Sequence, residues 1–274
     1  MRKYDIINEL IRRRGLRSYL EICTPTTGGS FSEVERGTLV RRDRLMYRCP
    51  RDFADGDTIT FRSTTEDIAG IVDQVRRSGL RYDLIFVDAW HTLPCAARDL
   101  DAALSLLTDD GFLVVHDCSP PNVNMATSEH SGACWHGVTY AAFLDLVAAH
   151  PELGYYTVDA DVGCGIIRKS AAPNPASTRR DTAMLGEWIA RAPGMGERER
   201  FEFFDIHRER LLNLVSVREF LNREDITLSG AFRLKAAARL LWSWFKILLP
   251  TCIRGRLRRR ILTAISSGAP RNAL

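Results

Sequence analysis

Residues Tyr82–His91 read Tyr-Asp-Leu-Ile-Phe-Val-Asp-Ala-Trp-His, an apolar run that stops at a carboxylate and is followed by an imidazole. A short apolar run bounded by polar residues is the pattern of a strand buried on both faces of a parallel sheet. A second run, Gly111-Phe-Leu-Val-Val-His116-Asp117, ends the same way. Between them, residues 94–107 place Leu100, Ala103, Leu104 and Leu107 on one helical stripe. Ligands of open α/β sheets sit just beyond the carboxyl ends of the strands. Asp88, His91, His116 and Asp117 all fall there.

The rest of the chain repeats the alternation. Residues 2–14 carry Ile6, Ile7, Leu10 and Ile11 at helical spacing, and Ser18–Cys23 is a short apolar strand. Ser30–Arg36 opens a helix after Gly28-Gly29, and Thr38–Val40 and Thr58–Phe61 are strands. Thr64–Ser78 is a helix stopped by Gly79, and Trp135–His150 is an apolar helix after a polar loop over 118–134. Tyr155–Val158 and Gly163–Arg168 form a closing hairpin around Asp159-Ala-Asp161. Strands alternating with helices predict a doubly wound α/β sheet with an antiparallel edge strand. The Pro/Ala/Ser stretch at 170–178 divides residues 1–170 from a charged helical extension over 171–227 and a basic amphipathic tail over 228–274.

Composition narrows the setting. The N-terminus is amphipathic and contains acids, without the apolar core of a secretory signal. Seven single cysteines with no C-x-x-C pair fit a reducing cytoplasm rather than a disulfide framework. The net charge of +4 hides an asymmetry: residues 228–274 hold ten Lys or Arg and no acid, which leaves the body at −6. The body therefore gives no reason to expect nucleic acid.

Several motifs resemble one family. Tyr19-Leu-Glu-Ile22 with Gly28-Gly-Ser-Phe31, Asp83-Leu-Ile-Phe-Val-Asp88-Ala-Trp-His91, Arg98-Asp99-Leu, His116-Asp117-Cys-Ser-Pro120 and Gly163-Cys-Gly-Ile-Ile-Arg168 follow in order over residues 17–169. Together they resemble the class I S-adenosylmethionine-dependent methyltransferases, a seven-stranded Rossmann-like fold, and within it the macrocin O-methyltransferase-like and glycan-cluster group. The resemblance implies methyl transfer to an oxygen of a sugar or glycan-like acceptor. It places the cofactor against Glu21, Thr24, Thr27, Gly28, Gly29, Asp43, Ser63, Asp67 and Asp88. The first motif departs from the family, with Cys23, Pro25 and Thr27 where glycines are usual. Asp43, about 20 residues after Glu21, stands for the ribose-binding acid, with a solvated surface charge as the rival reading. Ser63 and Asp67 serve either adenine or the start of the following helix.

Methyl transfer to a hydroxyl needs the acceptor deprotonated. His91 suits a general base, because its unperturbed pKa is about 6.5. Asp88 and Asp117 assist it or hold a divalent cation such as Mg²⁺ that acidifies the acceptor. Asp88-Ala-Trp-His91 also resembles the fourth-strand end of catechol-type O-methyltransferases, where a metal-binding aspartate sits. His116-x-Cys118 and Cys134-x-His136 suggest zinc only weakly, since structural zinc sites usually space their ligands by two to four. The Ser119–Ser131 loop is a candidate lid, with Trp135 and His136 lining the acceptor pocket.

In the tail, residues 231–265 interleave Leu, Trp and Phe with Lys and Arg before Arg254-Gly-Arg-Leu-Arg-Arg-Arg260. The apolar stretch falls short of the roughly 20 residues that span a bilayer. Its character suits an anionic membrane surface, which would make a cytoplasmic enzyme membrane-peripheral. The competing reading is a helix packed on the body or on a second subunit, giving a homo-oligomer. A non-catalytic Rossmann-like module docking a glycan-assembly complex to the membrane is the rival from another functional class.

Overall fold

The computed structural model describes residues 1–27, 31–54, 59–132, 134–169 and 180–223. Met1–Ile226 form one compact unit. The tail over 228–274, including the 231–265 segment, and Gly28 and Gly29 lie outside the described residues.

The helices are α1 (Lys3–Arg14), α2 (Ala69–Arg77), α3 (Leu93–Leu106), α4 (Thr139–Ala149), α5 (Thr182–Arg191), α6 (Glu197–Leu211) and α7 (Val217–Arg223). The strands are β1 (Ser18–Cys23), β2 (Arg41–Met46), β3 (Phe61–Arg62), β4 (Tyr82–Asp88), β5 (Leu107–Val115), β6 (Gly154–Val158), β7 (Cys164–Arg168) and β8 (Leu214–Val215). They form one sheet in the order β3-β2-β1-β4-β5-β7-β6-β8. The first five are parallel to one another, β7 is antiparallel to both its neighbours, and β8 runs parallel to β6. The expected alternating α/β sheet is therefore present, with one more strand, supplied by the charged extension.

The two-residue period of a strand explains the layers. Ile85 and Val87 of β4, Leu20 and Ile22 of β1 and Leu113 and Val115 of β5 share a core with α2, α3, α4, α5 and α6. Leu84 and Phe86, Tyr19, and Phe112 and Val114 point into the opposite core. There they meet Ile6, Ile7, Leu10 and Ile11 of α1, and Phe220 and Leu221 of α7. Each such side chain stabilises the fold by about 1.5–3 kcal/mol on burial. β4 is central because both its faces are apolar.

Several elements start later than the sequence predicts, β3 among them, at Phe61 instead of Thr58. The expected strand at Thr38–Val40 is a turn tied by the Thr38 hydroxyl, which donates to Leu16 O at 2.6 Å, and β2 begins at Arg41. The helix expected at Thr64 begins at Ala69. Ser63 Oγ accepts the Thr65 N–H at 3.2 Å and Asp67 Oδ1 accepts the Ala69 N–H at 2.9 Å, so local side-chain bonds compete with helix formation. The helix expected at Trp135 begins at Thr139, because Gly137 is left-handed with φ 60°. The helix expected over Ser30–Arg36 is a single 3-10 turn, Phe31–Glu33.

Candidate active site

β1 and β4 end side by side, with Cys23 opposite Asp88 in the register. The His116 N–H donates to Val87 O at 3.1 Å, so the chain leaving β5 stays against the end of β4. Asp117 then adopts φ 60°, a left-handed conformation that aspartate tolerates better than most residues. Both carboxylates are almost fully buried. Positive φ at such a position is the kind of strain that functional sites hold.

His91 enters from the loop between β4 and α3. Its Nε2 lies 3.4 Å from Asp88 Oδ1 and 3.2 Å from Asp117 Oδ2, while Nδ1 is 3.2 Å from Trp135 O. A carbonyl oxygen only accepts, so Nδ1 carries a hydrogen and Nε2 is the nitrogen that exchanges its proton. His136 Nδ1 lies 2.7 Å from Asp117 Oδ1. His116 Nδ1 is 3.2 Å from that same oxygen and 3.7 Å from Asp88 Oδ1, and its Nε2 is 3.7 Å from Asp161 Oδ2. Among the described residues, neither ring nitrogen of His116 finds a hydrogen bond of good geometry. Lys3, in the first turn of α1, completes the cluster by pairing its Nζ with Asp88 Oδ2.

Burial raises the cost of every charge here, and the opposite charges prevail. Burial alone would push the Asp88 carboxyl up, but His116 and Lys3 hold it well below the usual carboxylate range. Asp117 is likewise lowered against its burial, by His116 and His136. Burial disfavours protonated His91, yet its bond to Asp88 and the charge of Asp117 raise its pKa above the ordinary value. The His116 imidazole is raised further, against burial, by the charges of Asp117 and Asp88.

The expected cofactor residues are only partly brought together. Thr24 and Thr27 follow β1 directly, and the Thr27 hydroxyl donates to Asp88 O at 2.5 Å, tying this turn to the end of β4. Glu21 is buried in the body of β1, and its Oε1 has no hydrogen-bond partner among the described residues. Ser63 and Asp67 lie between β3 and α2, on the carboxyl side of the sheet, where they shape the turn described above. Asp43 is elsewhere. It sits in the first half of β2, opposite Leu20, and accepts the Tyr82 hydroxyl at 2.7 Å and the Thr60 hydroxyl at 3.2 Å. The chain leaving the carboxyl end of β2 carries Tyr47 and Arg48 instead. Arg48 lies 3.9 Å over the Trp90 ring and 2.6 Å from Glu66.

On the acceptor side, Trp90 stacks on His130 with ring centroids 5.5 Å apart, and Trp135 meets both edge-on at 5.1 Å. The loop carrying His130 and Trp135 is anchored from α6. Arg208 donates to Ser119 Oγ at 2.9 Å and Pro120 O at 2.8 Å, and Glu197 accepts the Ser128 N–H at 2.5 Å. Among the described residues the metal-competent group is Asp88, His116 and Asp117, whose ligand atoms lie within 4.8 Å of one another. No cysteine joins it, and the Cys118 thiol donates to Val115 O at 3.4 Å. Lys3 and Asp161 carried no signal in the sequence. One opens an amphipathic helix and the other sits in a hairpin turn, and both reach the site only through tertiary packing.

Residues 10–118, from α1 through the end of β5, match the family model of a methyltransferase domain. No curated protein matches the sequence. Among solved structures, the O-methyltransferase from Bacillus cereus in complex with SAH is 18% identical, with 61% of this chain and 79% of that chain covered and a TM-score of 0.44. The O-methyltransferase TomG from Streptomyces achromogenes, in complex with SAM, is 19% identical over 61% of this chain and 78% of that one, with a TM-score of 0.45. The MycE methyltransferase of the mycinamycin biosynthetic pathway, in complex with Mg, SAH and mycinamycin VI, is 16% identical over 60% and 48%, with a TM-score of 0.40. Over residues 10–118 the chain is thus similar to a methyltransferase domain, in a sheet that turns antiparallel beyond β5.

Proposed function

We propose that the chain methylates a hydroxyl oxygen of a sugar or glycan-like acceptor, with His91 as the general base. The observation that carries this reading is the placement of His91 Nε2 against both Asp88 and Asp117 at the ends of adjacent strands. Trp135 O fixes the ring through Nδ1, which leaves Nε2, between the two carboxylates, as the nitrogen that takes the acceptor's proton. The two carboxylates then stabilise the imidazolium that forms. The aromatic surface of Trp90 and Trp135 beside His91 suits the C–H face of a sugar ring.

The residues present fit the cofactor in part. Thr24 and Thr27 at the end of β1 offer hydroxyls to its carboxylate, and Ser63 and Asp67 border the region where adenine would lie. Gly28 and Gly29 follow Thr27 in the sequence and lie outside the described residues. Asp43, held at the far end of β2, is not in the set; Glu66 is the carboxylate on the correct side. Bound S-adenosylmethionine supplies a methyl group on a positively charged sulfur, and the buried acids Asp88 and Asp117 give the strand ends a charge that suits it. Asp88, His116 and Asp117 also form a donor set for a divalent cation such as Mg²⁺, which would lower the acceptor's pKa.

Among the described residues no helix is long and apolar enough to cross a membrane. The basic tail over 231–265 supports a cytoplasmic enzyme held at an anionic membrane surface near lipid-linked glycans, in polysaccharide biosynthesis. A second copy of the chain is the competing partner for that tail.

Isothermal calorimetry and turnover test the reading together. The wild-type chain is expected to bind S-adenosylmethionine. His91→Ala should keep that affinity while losing about 10²–10⁴-fold in kcat. Wild-type turnover should rise with pH through a value above the ordinary histidine pKa, as the raised His91 releases its proton. Absence of cofactor binding, or full turnover by the Ala variant, sinks the proposal.

A further inference from the structure

Lys3 is not an ordinary surface lysine. Its side chain is 18% exposed, and its Nζ pairs with Asp88 Oδ2 across 85 residues of sequence. Its own backbone N–H donates to Asp161 Oδ2 at 2.8 Å, so the first turn of α1 is pinned to the β6–β7 turn. The ammonium also lies 5.5 Å from the Tyr4 ring and 5.8 Å from the Phe86 ring, which together frame its path. Backbone, aromatic faces and carboxylate therefore all fix where this charge sits.

That position conflicts with a metal. Asp88 offers one oxygen to His91 and His116, and the other is taken by Lys3. A divalent cation among Asp88, His116 and Asp117 would stand beside an ammonium with little water to screen the repulsion. Asp161 links the two sides. The oxygen that accepts the Lys3 N–H also lies 3.7 Å from His116 Nε2, so the first turn of α1 and the third candidate ligand share one carboxylate.

We propose that Lys3 is the resident cation of the Asp88–Asp117 site. Its ammonium occupies the carboxylate edge that a divalent cation would bind, and a metal gains Asp88 only when Lys3 withdraws. Lys3 is thus a positioning residue that sets how readily the site takes a metal. This rests on the reading of Asp88, His116 and Asp117 as a cation site.

Mn²⁺ alone is the probe, titrated calorimetrically into the full chain without cofactor or acceptor. Lys3→Met is expected to bind one Mn²⁺ at least ten-fold more tightly than wild type, and Lys3→Arg to bind as weakly as wild type. Equal or weaker binding by Lys3→Met overturns the role of Lys3 and leaves the cation site standing. No Mn²⁺ binding by any of the three removes the cation site itself, and the Lys3 proposal with it. If Lys3→Met loses its near-ultraviolet circular dichroism, wild type supplies the answer. Its Lys3 should be acetylated by an N-hydroxysuccinimide ester at least three-fold faster at saturating Mn²⁺, with Lys169 as the reference in the same mass spectra. An unchanged Lys3 rate under conditions where calorimetry shows bound Mn²⁺ overturns the proposal equally.

Discussion

Glu21 and Arg44 face each other on β1 and β2, both fully buried, with Arg44 Nε 3.7 Å from Glu21 Oε1. The Tyr19 hydroxyl donates to Glu21 Oε2 at 2.9 Å, and Cys23 Sγ accepts from Arg44 Nε at 3.4 Å. Burial dominates the carboxyl and pushes its pKa up to about 7 from 4.5, although Arg44 and Tyr19 pull it down. A carboxyl raised on folding favours the native state below the unfolded pKa and loses that contribution as pH rises through the folded value. Wild type minus Glu21→Gln unfolding free energy should therefore fall between pH 4.5 and 7, by on the order of 3 kcal/mol, and level off above it. Urea unfolding at a series of pH values measures this, and the pH-independent effect of stranding Arg44 cancels from the trend. A constant difference from pH 4.5 to 8 would show that Glu21 ionises as readily in the fold as in the open chain. Legibility at this scale depends on chain neighbours. Asp88, His91 and Asp117 were readable because each follows an apolar run. Glu21, Arg44 and Lys3 were not readable as a buried charge system, because their partners lie on other elements.

Elements with a strong period were easiest to read. β1, β4, α1, α3 and the apolar half of β5 lie where their apolar positions predict, because periodicity and burial agree there. β5 itself begins at Leu107, ahead of its expected start at Gly111. β2 does not advertise itself: Arg41-Arg-Asp-Arg44 looks like a solvated charge run, yet Arg44 is enclosed by Glu21 and by the Phe31 ring at 5.3 Å. The start of α4 was misplaced for a different reason. Its helical apolar pattern extends back to Trp135, and only the close approach of Gly137 to His91 interrupts it. A Cβ on Gly137 would lie 2.2 Å from His91 O, the carbonyl that accepts the Val138 N–H at 2.9 Å. Gly137→Ala should cost about 3 kcal/mol from overpacking and positive φ together. It should also depress kcat by displacing His91. Gly186→Ala, in α5 with open space around its Cβ, should instead stabilise by about 0.5–1 kcal/mol. Thermal unfolding of the two variants compares them directly. A Gly137→Ala protein as stable and active as wild type would mean that this glycine does not set the His91 loop.

On the scale of the molecule, the charged extension belongs to the sheet. β8 pairs with β6, Trp188 of α5 and Phe204 of α6 are fully buried in the α3–α4 core, and Phe220 of α7 caps the opposite face. A chain ending at residue 170 would leave all these surfaces uncovered, whereas one ending at Thr227 retains the whole compact unit over Met1–Ile226. The alternating pattern that made the sheet legible stops at the Pro/Ala/Ser linker, so the sequence did not reveal that the chain returns to add a strand. Charge divides at the second boundary: the segment removed by a stop after Thr227 carries ten basic residues and no acid, and what remains is at −6. Basic residues near an anionic leaflet each contribute about 1 kcal/mol, and salt weakens them. The truncated chain is therefore expected to fold, to bind S-adenosylmethionine as the full chain does, and to lose co-sedimentation with phosphatidylserine vesicles. The full chain should bind those vesicles at low salt and release them as salt rises. If both forms sediment alike, the tail is not the membrane contact. If the truncation instead turns a dimer into a monomer by light scattering while vesicle binding is absent throughout, the tail serves a second copy of the chain rather than a membrane.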